Sequence, residues 1–129
     1  MLTQGHYKII KKNNLYKIFY TEYNKQQWYI YDMVSYYKVG EWLFLGFRKS
    51  KVKNKMYDAI LKHVRTGRIK YLPFGDSRYK NFHDLTGLDA YPHLVHGDSE
   101  RRRRYRRRHR VYLRSGYYSP SYFSWHYLW

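Results

Sequence analysis

KMYDAILKHVRTGRIKYLPFG, Lys55 to Gly75, reads in two ways, and the fold turns on which one holds. Met56, Ile60 and Val64 recur at helical spacing, which favours a helix over Lys55–Val64. The same residues also fit a two-residue alternation, and Thr66-Gly67 makes a hairpin tip ahead of IKYLPF. The hairpin, Met56–Val64 with Arg68–Phe74, is the preferred reading, and the helix is the alternative.

Upstream, the chain is strand-like. YKIIK (Tyr7–Lys11) and LYKIFY (Leu15–Tyr20) are rich in β-branched and aromatic residues, with the turn signal KNN between them. QWYIYDMV (Gln27–Val34) is a third candidate strand, and a fourth centres on Trp42–Phe47, with Gly46 inside it. Lys-rich KSKVKNK (Lys49–Lys55) reads as a solvated connection. From Phe74 onward Gly, Asp, His and Pro dominate, so irregular backbone is expected, with one short helical turn around Lys80–Leu85. The expected fold is α+β in a single domain, 1–129. A small antiparallel β-sheet occupies the first half (1–74), and a loop-plus-helix part (75–129) packs an Arg-rich helix and a short aromatic C-terminal helix on it.

Composition narrows the function. The chain has 129 residues, 26 Lys+Arg against 9 Asp+Glu, and a formal net charge of +17, which draws it to polyanions. Eighteen tyrosines with 6 Phe and 4 Trp suit half-buried and interface surfaces. Without cysteine, disulfides, thiolate metal sites and cysteine nucleophiles are excluded. No apolar secretory segment opens the sequence, and no stretch reaches the ~20 apolar residues of a spanning helix.

GDSERRRRYRRRHRVYL, Gly97–Leu113, packs eight arginines between Arg101 and Arg110. Asp98 or Ser99 can cap a helix here, and Glu100 sits in its first turn. At about 100° per residue from Asp98, Arg101, Tyr105, Arg108, His109 and Tyr112 share one stripe. His96, Asp98, Arg101, Tyr105, Arg108 and His109 form the expected structural clasp onto the domain, and Tyr112 can pack beside them. Arg102, Arg103, Arg104, Arg106, Arg107 and Arg110 cover the rest of the circumference and are the expected polyanion-binding face. No Asn or Gln joins them, so contact with backbone phosphate rather than base-specific readout is expected. SPSYFSWHYLW (Ser119–Trp129) opens with Ser119 at N-cap and Pro120 as first helical residue. It is apolar nearly all round, so Tyr122, Phe123, Trp125 and Trp129 are expected to pack on the protein or a partner.

Three stretches together carry a resemblance: FGDSRYKNF (Phe74–Phe82), HGDSERRRRYRRRH (His96–His109) and the closing SPSYFSWHYLW. Over roughly residues 72–129 the chain resembles a family of short basic proteins of unknown function from nucleocytoplasmic large DNA viruses. The matching motif residues are Phe74, Gly75, Ser77, Tyr79, His96, Asp98, Arg101, Tyr105, Arg108, His109 and Trp125. The resemblance implies a virus-encoded virion component, located in the virion and, during assembly, in the host cytoplasm. It supplies no activity.

Catalytic chemistry finds little support. His93-x-x-His96-x-Asp98 fits no strong metal motif, so no metal is expected. A nuclease with His96 or His109 as general base lacks an assembled set of acid, base and positioning groups. The FGD stretch is not a phosphate loop, and Gly75 is read as permitting a tight turn. The expectation is a non-enzymatic virion structural protein, a minor capsid or internal scaffold component, without cofactor or small-molecule substrate. Its partners would be capsid or other virion proteins, with DNA or an anionic membrane surface on the arginine face. A sequence-independent DNA-binding or genome-packaging protein is the alternative.

Overall fold

The computed structural model describes residues 6–12, 15–22, 25–32 and 36–129, and the fold is α+β. The chain divides into two compact units, Met1–Val34 and Ser35–Trp129. In the first, β1 (His6–Lys12), β2 (Leu15–Glu22) and β3 (Lys25–Asp32) form an antiparallel sheet in that order. Its register sets Ile9 opposite Ile18 and Phe19 opposite Trp28. Asn13-Asn14 of the expected turn and Met33-Val34 of the expected third strand lie outside the described residues.

The second unit settles the two-way stretch as a hairpin. After β4 (Tyr37–Lys38) come β5 (Trp42–Lys49), β6 (Lys55–His63) and β7 (Ile69–Asp76), paired antiparallel in the order β5-β6-β7. The pairing decides it: Phe74 lies opposite Tyr57 and Leu72 opposite Ala59, with Tyr57, Ala59 and Leu61 wholly buried on the core face and Met56 and Asp58 also buried on the other. A helix would have buried Val64 with Met56, but Val64 is 56% exposed. In β5 the register slips between Phe44 and Gly46, adding one residue. That bulge resets the alternation, so Phe44 and Phe47 both join the core.

The rest of this unit is α1 (Ser99–His109), β8 (Tyr117–Tyr118) and α2 (Pro120–Phe123), with a single π turn over Ser124–Leu128. β8 pairs with β4. Ser119 caps α2 by accepting from the Tyr122 N–H at 3.1 Å, and Pro120 is its first residue. The π turn brings both Phe123 and Leu128 down onto the sheet, at 0% and 1% exposure.

Two sequence expectations need correction. No helical turn forms at Lys80–Leu85; the nearest 3₁₀ turn is at Pro92–Leu94, where proline suits the first helical position, and a second follows α1 at Arg110–Tyr112. The backbone around residue 80 bonds outward instead. Asn81 N–H donates to Leu94 O at 2.8 Å, His96 N–H to Asn81 O at 2.9 Å, and Phe82 N–H to Leu128 O at 3.0 Å. Gly75 is not a turn residue: it lies inside β7, which ends at Asp76, at φ 73°, where a Cβ would stand 2.8 Å from Leu128 Cδ1. The unit boundary falls at Val34/Ser35.

Two buried polar anchors tie this architecture together. Tyr57 donates its hydroxyl to Asp84 and accepts the Ala90 N–H at 3.0 Å, which fixes the 84–90 loop to the sheet. Burial, reinforced by the Asp84 carboxylate, pushes the Tyr57 phenol up to about 12. Asp58, 2% exposed, receives Arg48 Nε at 2.9 Å, and that guanidinium also lies 3.4 Å from the Tyr71 ring centre.

Candidate functional site

The arginine run is a helix with an inside and an outside. Asp98 caps α1, accepting from the Glu100 N–H at 2.9 Å and the Arg101 N–H at 3.2 Å. His96 Nδ1 in turn accepts the Asp98 N–H at 2.8 Å, which places the ring proton on Nε2. So the His-x-Asp spacing is a helix-start device.

No residue of α1 is fully buried, and its docking uses rings and guanidinium groups rather than aliphatic side chains. Tyr105 stacks on Trp129 at 4.2 Å and 4° on one face, and on His109 at 4.0 Å and 13° on the other. His96 continues this column against Trp129 at 5.3 Å. Burial pushes the Tyr105 phenol up to about 12. Beside the column, Arg102 Nε and Arg106 Nη2 both donate to Trp129 O, at 2.9 and 3.0 Å. Their guanidinium groups lie 4.7 Å from the Phe82 ring and 5.0 Å from the Trp125 ring. A cation held over an aromatic face in this way contributes on the order of 0.5–2 kcal/mol.

This geometry corrects the helical-wheel assignment at four arginines. Arg102 and Arg106, expected on the polyanion face, belong to the clasp. Arg101 and Arg108, expected in the clasp, are exposed. The inner face runs Arg102, Tyr105, Arg106, His109, rotated by about 60° from the stripe centred near Asp98. Asp98 does not belong on the wheel, because as N-cap it has extended backbone (φ −87°, ψ 109°), and a stripe drawn to include it is pulled toward Arg101 and Arg108. Nor does a charged residue announce that its target is a main-chain carbonyl 23 or 27 residues away.

Exposed arginines remain on both flanks. Arg103, Arg107 and Arg110 lie on one side, with Arg103 paired to Glu100. Arg101, Arg104 and Arg108 lie on the other, along a cleft between α1, the end of β7 and α2. Of these six, only Arg103 has a carboxylate partner among the described residues.

No protein-family model, curated protein or solved structure matches this chain.

The closing aromatic segment is also redistributed. Phe123, expected as a partner contact, is wholly internal and cannot meet a partner. Tyr122 packs edge-on against Tyr118 at 5.3 Å, Trp125 lies under Arg106, and Trp129 carries the clasp. The surface that sequence reasoning missed is the outer face of β5 and β7. Leu43 and Leu45 are 49% and 55% exposed there, with Ile69 and Tyr71 at 39% and 48%.

Three histidines in this region are held below the ordinary imidazole value. Burial is the main cause for each, with Arg102 and Arg106 adding at His83, Arg101 at His96 and Arg106 at His126. Neutral imidazole is therefore the folded form at neutral pH. On acidification the unfolded chain takes up protons first, so stability is complete above about pH 6.5 and is lost as pH falls below it. At His96 protonation would also set one donor against another at the Asp98 N–H. The thermal midpoint should fall between about pH 7 and pH 5. A midpoint that is flat or rising over that interval would contradict this arrangement.

Proposed function

We propose that this is a non-enzymatic, sequence-independent nucleic-acid-binding protein working in a virion. The observation that carries the proposal is a rigidly docked helix with its arginines left outside. Like charges at i,i+4 weaken a free helix by a few tenths of a kcal/mol per pair. Here the Tyr105–Trp129 stack and the bonds of Arg102 and Arg106 hold the helix in place. Arg103, Arg107 and Arg110 then stand as a preorganised row for backbone phosphates. The histidines considered as general bases have other duties: His96 Nδ1 serves the cap, and His109 Nδ1 lies 3.0 Å from Tyr105 O. Among the described residues, no group of three or more His, Asp or Glu side chains is placed to hold a metal ion. The virion setting is supported by the sequence resemblance alone.

Duplex DNA of any sequence should bind with a steep salt dependence. Replacing Arg103, Arg107 and Arg110 with Gln should leave the fold intact and make the log–log salt slope shallower by about 3. Fluorescence anisotropy across a salt series measures it. An unchanged slope, or no binding even at ~50 mM salt, would remove this reading.

A second reading, a minor capsid or internal scaffold component, is favoured by the exposed Leu43, Leu45, Ile69 and Tyr71 on the outer sheet face. It predicts cross-links from this face to shell proteins in purified particles. A cross-link map containing genome contacts but no shell contacts would exclude it.

A further inference from the structure

The cleft beside α1 has a different character from the outer row. Its volume is about 640 Å³, within the range of small-ligand sites. Five cations from three parts of the chain converge on it: Lys55 on β6, Lys80 in the loop after β7, and Arg101, Arg104 and Arg108 on α1. None of the five forms an ion pair among the described residues. Among the described residues Asp76 is the only carboxylate side chain lining it, and that group is already engaged. Asp76 takes Arg78 Nη2 on Oδ2 at 2.8 Å, and Arg78 Nε and N–H on Oδ1 at 3.0 and 2.9 Å. Ser121 brings a hydroxyl donor from the α2 side.

We propose that this cleft binds a compact polyphosphate anion, the chemistry shared by the triphosphate chain of a nucleotide and a short inorganic polyphosphate. Several negative charges within a few ångströms of one another match five cations converging on one concavity. A DNA duplex is too thick to enter and presents its phosphates singly along a convex surface, which suits the outer row. The clasp that fixes α1 also fixes the backbone positions of Arg101, Arg104 and Arg108 along the cleft wall. With five cations around the cleft, the phosphates need no divalent ion to neutralise them. This inference stands independently of the DNA reading, since it uses the opposite flank of the helix. At the rim Tyr79, 66% exposed, offers a ring to a base if the anion is a nucleotide.

Isothermal titration of the full chain with inorganic tripolyphosphate in EDTA, at ~150 mM salt, tests it. One saturable site is expected. The Arg101→Gln, Arg104→Gln, Arg108→Gln variant should lose at least about tenfold in affinity. The Arg103→Gln, Arg107→Gln, Arg110→Gln variant should stay within about twofold, although it weakens DNA binding. Should the first variant fail to fold, Lys55→Gln with Lys80→Gln reads the same site from outside α1. ATP binding more tightly than tripolyphosphate, with the gain lost in Tyr79→Ala, identifies the nucleotide as the source. Equal affinity identifies the phosphate chain itself. Equal losses in the two arginine variants, or heats with no defined stoichiometry, overturn the site. DNA binding can fail while this titration succeeds, so the two proposals fall separately.

Discussion

Phe123→Ala should lower the unfolding free energy by about 3–5 kcal/mol, at the top of the range for a single substitution in a domain of this size. Phe123 is 0% exposed. Its ring lies 5.1 Å from Phe44, 5.6 Å from Phe74 and 5.6 Å from Tyr118, so it bridges β5, β7 and β8. Removing it takes away the burial of a large ring and leaves a cavity that three separate elements would have to close together. The neighbouring Tyr122→Ala is the control. Tyr122 is half-buried and packs on His126, Phe123 and Tyr118 from the outside of the core, so its loss should cost less than half as much. Urea denaturation followed by tryptophan fluorescence measures both. Equal costs would mean that α2 does not seat Phe123 in the core as described.

That contrast marks how far the sequence could be read. A strongly apolar segment behind a Ser-Pro start announced a buried helix, and α2 begins at Pro120 as those two residues dictate. Which residue of the segment points inward was not legible, because the helix widens into a π turn after Phe123. A 3.6-residue period does not follow that widening. The β6–β7 hairpin was legible from the Thr66-Gly67 tip, but its inward face was not: the alternation of Met56, Ile60 and Val64 marks the other face, and the core face carries Tyr57, Ala59 and Leu61. The β5 bulge was not, since Gly46 alone did not say which side the extra residue would take. The irregular stretch after β7 resisted prediction for a different reason. Its backbone hydrogen bonds go to Leu94 and Leu128, partners far along the chain, and local propensity carries no trace of them.

In the arginine helix, the cap and the stacked rings were visible as residue types at the right spacing. The function of each arginine was not. All eight share one side chain, so composition cannot separate the two that grip Trp129 from those left in solvent. The separation depends on the position of Trp129, and hence on the whole closing segment. A sequence scan that treats the run as a uniform charge tract would therefore select Arg102 and Arg106 for neutralisation. It would then mistake a released helix for lost ligand binding.

Gly75→Ala carries the second large effect, about 2–5 kcal/mol, in two separable parts. The first is backbone strain. At φ 73° an L-residue with a Cβ is disfavoured, at a cost of roughly 1–2 kcal/mol. The second is contact. The new methyl would stand 2.8 Å from Leu128 Cδ1, 3.1 Å from Met56 Sδ and 3.2 Å from Met56 Cβ. Leu128 and Met56 are each 1% exposed, so neither can move aside without disturbing the core, and overpacking of this kind costs about 1–3 kcal/mol. Gly116→Ala isolates the first part, because Gly116 has φ 80° with nothing within 4 Å of its Cβ position. Chemical denaturation of both variants gives the contact part as their difference. Combining Gly75→Ala with Leu128→Ala should then cost less than the sum of the two single changes, because the truncated leucine removes the closest contact. Additive costs would show that the strand and the π turn do not press on each other at Gly75. The glycine of the FGD stretch, read in sequence as a turn residue, would then owe its place to backbone conformation alone.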